Sequence, residues 1–599
     1  MSIDYLKKFT KPATLFSEKV FVIQYEVMIN CRKEKNNRYR LTYLLACDIL
    51  EADILRGDFM RKLMSVFMTA VMIFSVFAFC VPNVIAADAR EYYIDSVAGD
   101  DSGEGTIESP WKTINPFVNH AIGTGDKILF KCGGVYEVAA TLGVSGTKEN
   151  PIVISSYGEG EKPLLTTNGN TEVLRLFDCS YITVSNLEIT APNGGGIWID
   201  TLEKTSYGIT IDNVEFHDIQ NYHLPSRDNA SAGAAAARAC IMVKGLPARS
   251  RYAVNDLTIT NCEMYDCGNG INIWGSWNDE QKPWCEEDEI DPVYNTGVLV
   301  KGCYFHDMDS EAIIVGMCDG ALVTHCRSIN CCQGSGIDEN GEPTYFTAAM
   351  WFWGSENSII QYCEIAGQKN FGDGMAIDFD SHTNNCTYQY IYSHDNMRFM
   401  CNNANYSGQY NNTVRYCLSV NDGEGRSKTS PPAGEYGFKF YNNTIIGCGE
   451  IQVTHVYDGV FANNIIIPKD GEKIYFEFDD IMGSGTVFSN NCFYNCPTPI
   501  YEKLFSKNTV PGFVGGDDYY AYELVEKSPL IGKGMVIEDD LTTDFFGNEI
   551  TSNNIGCYGG DGEDGEYDRE WIFEKLIRIF RQWFNILKRE IVYLINENK

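Results

Sequence analysis

The sequence predicts an all-β fold, a right-handed parallel β-helix solenoid, from three observations. First, one short phrase recurs eleven times: a polar residue, often Asn, then an apolar or Cys residue that opens a strand. Examples are Asn186-Leu187-Glu188-Ile189, Asn213-Val214-Glu215-Phe216 and Asn261-Cys262-Glu263-Met264. Taking the second residue as marker, the positions are 187, 214, 262, 303, 326, 363, 391, 417, 444, 465 and 492. The steps between them are 27, 48, 41, 23, 37, 28, 26, 27, 21 and 27 residues, a short coil with occasional insertions. Such self-similarity is the mark of a repeat architecture. Second, the runs between markers are short, β-branched and aromatic, and broken by Gly and Asn, so the repeating unit is strands. Third, the marker accepts Cys, Leu, Val, Ile and Thr. That set suits an interior position where each coil stacks on the next.

The elements follow in chain order. Residues 1–59 read as an upstream extension ahead of the mature protein. Met60-Arg61-Lys62, an apolar run over 63–80 and the small residues before Ala87 read as a signal peptide over 60–86. This predicts a secreted or extracellular protein, with a retained anchor as the alternative. The β-helix domain is expected over 87–560, with a short helix to Ala121 as an N-terminal helical cap on its apolar end. An acidic Gly-rich linker covers 561–570. Over 571–599, Ile572, Leu576, Phe580, Trp583, Leu587, Ile591 and Leu594 recur at helical spacing. They predict a C-terminal amphipathic helix that either contacts a membrane or cell envelope or docks on the end of the coil.

Between Ala87 and Asp568 there are 28 basic and 69 acidic residues, a net charge of −41. Such a body repels nucleic acid and anionic membrane. Nineteen Cys follow the signal, six of them (262, 303, 326, 363, 417 and 492) at the marker position. Parallel stacked side chains suit a disulfide poorly, so an unbridged core ladder is expected.

The opening Tyr92-Tyr93-Ile94-Asp95, Ser109-Pro110-Trp111 and Gly125-Asp126-Lys127-Ile128 resembles many bacterial single-stranded right-handed β-helix proteins of the pectate-lyase-like superfamily. The closing Ser528-Pro529-Leu530-Ile531-Gly532, Asp544-Phe545-Phe546-Gly547 and Ile555-Gly556-Cys557-Tyr558 resembles them too. The resemblance implies the fold over roughly 92–560. It leaves the reaction open, because the superfamily holds lyases, hydrolases, epimerases and non-enzymatic adhesins.

Each coil carries another strand between markers, and side chains alternate across a strand. Placing Ile197 and Ile199, Ile241 and Val243, Ile271 and Ile273, Met350 and Phe352, Ile377 and Phe379, and Phe438 and Phe440 inward turns another set outward together. That set is Trp198, Asp200, Lys244, Asn272, Trp274, Trp351, Trp353, Asp378, Asp380 and Lys439, with Arg398 at the edge. Exposed Trp beside carboxylates is what a glycan site needs, because sugar rings stack on aromatic faces and carboxylates supply acid and base. The alternative is a polar face with covered Trp that merely pack. Insertions over 222–251, 276–294 and 333–345 fall in nearby coils, where long loops build cleft walls.

The stretch Gly372-Asp373-Gly374-Met375-Ala376-Ile377-Asp378-Phe379-Asp380 also resembles a segment of uncharacterised β-helix glycan enzymes. That resemblance implies Asp378 and Asp380 as the catalytic pair. Glu311, Asp373 and Asp200 are further partners, and His382 and His394 could assist. Three functional readings stand. A hydrolase would use the paired carboxylates. A lyase would hold Ca²⁺ on Asp373 and Asp378, with Lys439, Arg398 or Lys244 taking the proton. A binder would use the same face without chemistry. The acidic body and the Trp pairs favour hydrolysis of a polysaccharide or oligosaccharide.

Overall fold

The computed structural model describes residues 89–118, 122–219, 239–244, 251–276, 292–334, 347–369, 374–402, 409–423, 435–448, 456–469, 485–496, 505–538, 540–565, 567, 577 and 580. The expectations for 1–59, the signal at 60–86 and the amphipathic helix at 571–599 lie essentially outside these residues. So do Asp373 and the linker assignment from 568 onward.

The chain winds as a right-handed parallel β-helix. Among the described residues it builds sheets of 14, 13 and nine strands, and every pair in them is parallel. One coil visits each sheet once: Ile209–Asp212 in the first, Glu215–Ile219 in the second and Ala239–Val243 in the third. The inner faces share one apolar core, to which Ile211, Phe216 and Ile241 each contribute a fully buried side chain. Ahead of the coils, Trp111 stacks on Tyr92 at 5.0 Å, and a four-residue helix, Asn115–Val118, buries Phe117. The rest of the helix expected to Ala121 lies outside the described residues.

The repeated phrase is a corner. Asn186, Asn213, Asn261, His325, Tyr362, Tyr390 and Tyr416 all have φ between 48° and 57°, and Gly302 has φ 67°. One left-handed residue turns the chain from the 14-stranded into the 13-stranded sheet. Asn adopts that conformation more readily than most non-Gly residues, which explains its frequency here. The side chain after the corner points inward, and Cys262, Cys303, Cys326 and Cys363 stack there in consecutive coils as expected. The seventeen Cys residues whose side chains are described are free thiols.

In the last three coils the predicted markers are one residue late. The left-handed residues are Asn442, Asn463 and Asn490, so the inward positions are Asn443, Asn464 and Asn491 rather than Thr444, Ile465 and Cys492. Two consecutive Asn stand at each of these corners, and the composition alone does not say which one turns. Cys492 pairs in register with Ile465 and Thr444, outside the Cys ladder.

Candidate active site

The nine-stranded sheet runs from Ala140–Leu142 to Arg398–Asn402 in strict coil order. Connections to it span 220–238, 335–346 and 370–373, and connections from it span 245–250, 277–291 and 403–408. Its strands open with two successive inward residues, the first small. Cys240 and Ile241, Ala312 and Ile313, Ala349 and Met350, and Ala376 and Ile377 all belong to the core. Gly270 shows why the first is small: a Cβ there would lie 2.3 Å from the Ala312 carbonyl oxygen and 2.9 Å from the Phe305 ring.

After this pair the strands alternate as the sequence predicts. One outward row runs Arg175, Trp198, Met242, Asn272, Ile314, Trp351, Asp378 across successive strands. A parallel row, two residues on, brings together Asp200, Lys244, Trp274, Gly316, Trp353 and Asp380. A third row, upstream, holds Ala348, Met375 and Arg398, with Glu311 at the same level.

The Trp residues do not stand bare. Trp274 and Trp353 are buried and pack with Ala239, Met242, Ile314 and Met317, while Trp198, Tyr294 and Trp351 close the layer as part-buried members. Trp274 meets Trp351 edge-on at 6.3 Å and Trp353 at 5.8 Å. Large rings two coils apart cover one another across Ile314 and Gly316, so the face is an apolar floor from which Trp198 and Trp351 remain part exposed. Their indole Nε1 atoms, the Asn272 Oδ1 and the Arg175 Nε are shielded without a hydrogen-bond partner among the described residues.

The carboxylates stand at one end of this floor. Asp378 lies beside Trp351, is 8 % exposed, and its carbonyl accepts a 2.7 Å hydrogen bond from the Tyr388 hydroxyl. Burial first, and the nearby Asp378 charge second, push the Tyr388 hydroxyl up, so it stays a donor. Asp380 is part exposed, and its Oδ1 accepts from the Ser381 N–H at 2.7 Å. The Gln409 amide donates to the Asp380 carbonyl at 2.8 Å, which fixes the end of the strand. His382 is buried with φ 62° and meets Trp353 edge-on at 5.9 Å. Glu311 is part exposed and accepts from the Ser310 hydroxyl.

Toward the other end, Asp200 pairs with Arg175, whose guanidinium lies 4.9 Å from the Trp198 ring and 5.4 Å from Phe177. Lys244 is buried and donates to the Tyr252 carbonyl and the Ser276 hydroxyl. Burial brings its amine down to about 8, opposed by Asp200 and Asp178.

Two expected members belong elsewhere. Lys439 is exposed in strand Lys439–Tyr441 of the 14-stranded sheet, between Thr413–Arg415 and Val460–Ala462. Phe438-Lys439-Phe440 alternates as any half-buried strand does, so the pattern gave no clue to which sheet it joins. His394 sits on the 13-stranded sheet between Asp395 and Glu364. Asp373 lies outside the described residues. Among those described, no group of three or more His, Cys, Asp or Glu is placed to hold a metal ion.

No family model matches the chain. Over 490 residues it is 24 % identical to a lacto-N-biosidase of Bifidobacterium longum subsp. longum, covering 67 % of this chain and 30 % of that protein. The chain thus spans about a third of the length of that curated relative. Among solved structures it is similar to the GH136 lacto-N-biosidase of Eubacterium ramulus, at 22 % identity and TM-score 0.46, covering 65 % of this chain and 67 % of that one. An alginate lyase of Paenibacillus sp. str. FPU-7 matches at 14 % identity and TM-score 0.35, covering 61 % and 99 %.

Proposed function

We propose that this chain is a glycoside hydrolase that cleaves an oligosaccharide or polysaccharide on the outer face of the nine-stranded sheet, with Asp378 and Asp380 as its catalytic carboxylates. One observation carries the reading: both side chains leave the sheet on the outward side, directly in line with Trp351 and Trp353 one coil away. Two carboxylates beside an aromatic floor meet the needs of glycosidic hydrolysis. One protonates the leaving oxygen while the other attacks or activates water. The 24 % identity to a lacto-N-biosidase supports the same class. Glu311 and Asp373 are further acid–base candidates, His382 orients the floor through Trp353, and the signal over 60–86 exports the enzyme.

The test is activity on a panel of neutral oligosaccharides. Asp378→Asn and Asp380→Asn should each lower kcat by roughly 10²–10⁴-fold, the usual weight of a general acid or base, with little change in thermal unfolding. Wild-type turnover in both variants would sink the assignment. Hydrolysis should proceed unchanged in a chelator. Loss of activity there, with an unsaturated uronate product, would instead favour a Ca²⁺-dependent lyase. N-terminal sequencing of protein recovered from the medium should begin near Ala87.

A further inference from the structure

The row that ends at Asp378 holds four unspent hydrogen-bonding atoms: Trp351 Nε1, Asn272 Oδ1, Trp198 Nε1 and Arg175 Nε. Buried polar atoms are almost always paired, so four on one line call for a physical reason. Asn272 is the sharpest case. It is 4 % exposed, it lies between the apolar Met242 and Ile314 in the row, and its Oδ1 has no hydrogen-bond partner among the described residues. An apolar residue of equal size would fill this place without leaving an amide unpaired.

We propose that Asn272, Trp198 and Arg175 form a distal subsite that grips the far part of an extended glycan chain lying along this row. The proposal rests on the glycan reading of Asp378 and Asp380. Neighbouring strands lie about 4.8 Å apart, so Asn272, three strands from Asp378, is ~14 Å away. Trp198 and Arg175, five and six strands away, are ~24 Å and ~29 Å distant on the same spacing. A pyranose chain advances by nearly the same step per sugar. The groups alternate with Met242 and Ile314, so ring faces would rest on the apolar residues while hydroxyls reach the amide and the indole. The Arg175 charge is already matched by Asp200. Among the Arg175 donors, Nε is shielded and unpaired beside the Trp198 ring, and with the charge matched by Asp200 it fits a sugar hydroxyl rather than an anion. The ligand class is therefore a neutral, linear oligosaccharide of about six units, and the enzyme should prefer long chains over short ones.

The test measures binding, not turnover. Calorimetric titration of the Asp380→Asn protein with neutral oligosaccharides of two to eight units, from xylan, β-glucan and mucin-type glycans, gives affinity against length. Affinity for the preferred series should rise until about six units and then level off. Asn272→Leu should cost about tenfold for chains of four or more units, the weight of one lost hydrogen bond, and leave dimers unchanged. Trp198→Phe keeps an aromatic face, smaller than the indole, and removes the N–H, so it should weaken only chains of six or more. Thermal unfolding supplies a readout that a structural role would move the other way: Asn272→Leu should raise Tm, because an unpaired amide is replaced by an apolar group. Affinity independent of length, or a fall in Tm with no length-dependent loss, would overturn the subsite. Because these titrations need no cleavage, a chain that binds long glycans yet hydrolyses none would sink the hydrolase reading and leave the subsite standing.

Discussion

A single left-handed residue at each corner decides where the next side chain goes. After Asp266, Asp307, Asn330, Gly367, Asp395 and Asn421, all at positive φ, the inward residues are Cys267, Met308, Cys331, Gln368, Asn396 and Asp422. Asp422 is the one acid in that ladder. Its oxygens accept from Ser393 at 2.5 Å, Ser419 at 2.7 Å and the Asn396 N–H at 2.9 Å, yet burial pushes its carboxyl up to about 6. A folded-state value above the unfolded one means that the fold favours the protonated form. The stabilisation is complete below about pH 4 and is lost as pH rises through about 6. His217 and His394, each raised by carboxylate partners against burial, act in the same direction at higher pH. Glu364, held down to about 2 by His394 and Arg327, contributes stability above its ordinary range that is lost in strong acid. Unfolding in denaturant should therefore show stability falling by roughly 2–3 kcal/mol between pH 4 and 7 on account of Asp422. Asp422→Asn, which keeps the shape and the Ser contacts, should flatten that slope, and an unchanged slope would assign it to the histidines.

At the scale of the element, the three sheets differ in what their sequences reveal. The strand alternation of the nine-stranded sheet was legible, because Ile, Val and Phe stand inward at every second place in Ile197–Ile199, Ile271–Ile273 and Ile377–Phe379. Its outer face was only partly legible. Met242 and Ile314 are apolar residues on the outward side, and Arg175 sits in strand Glu172–Phe177, whose link to this sheet shows only in the register. That Trp covers Trp is a tertiary fact, invisible in spacing. The turn ladder was legible through its Cys and lost at its end, where Asn takes over. There Asn464 Oδ1 accepts the Asn443 N–H at 3.0 Å, while its Nδ2 donates to the Phe440 carbonyl at 2.9 Å and Asn491 Oδ1 at 3.0 Å. A buried side chain that satisfies backbone groups on both sides is costly to remove. Asn464→Ala should destabilise by about 2–4 kcal/mol in equilibrium unfolding, since it strands an N–H and a carbonyl and leaves a cavity. A loss below ~1 kcal/mol would mean that water takes over these bonds.

Across the whole molecule, the coil divides the tolerance to change unevenly. The corner between the 14- and 13-stranded sheets is one residue wide in coil after coil, from Asn186 to Asn490. In chain order, the long stretches 220–238, 277–291 and 335–346 immediately precede or follow strands of the nine-stranded sheet. A side-chain period of two means that one added residue turns a strand's inner set outward. Inserting Gly between Asn261 and Cys262 would move Met264 off the core face and set Glu263 and Tyr265 against it, while the strands on either side, Glu215–Ile219 and Tyr304–His306, hold their register. That insertion should cost several kcal/mol or abolish cooperative unfolding, as burial of a charge does. Four residues of Gly and Ser added within 335–346 should change stability by no more than ~0.5 kcal/mol, because a longer loop adds little closure entropy. The same loop insertion should alter KM for oligosaccharides, since this connection leads directly into Ala348–Trp353, the strand that carries Trp351 and Trp353. The division of labour fails if the loop insertion destabilises as much as the corner insertion. In that case the connection is part of the stack and not a wall beside the glycan face.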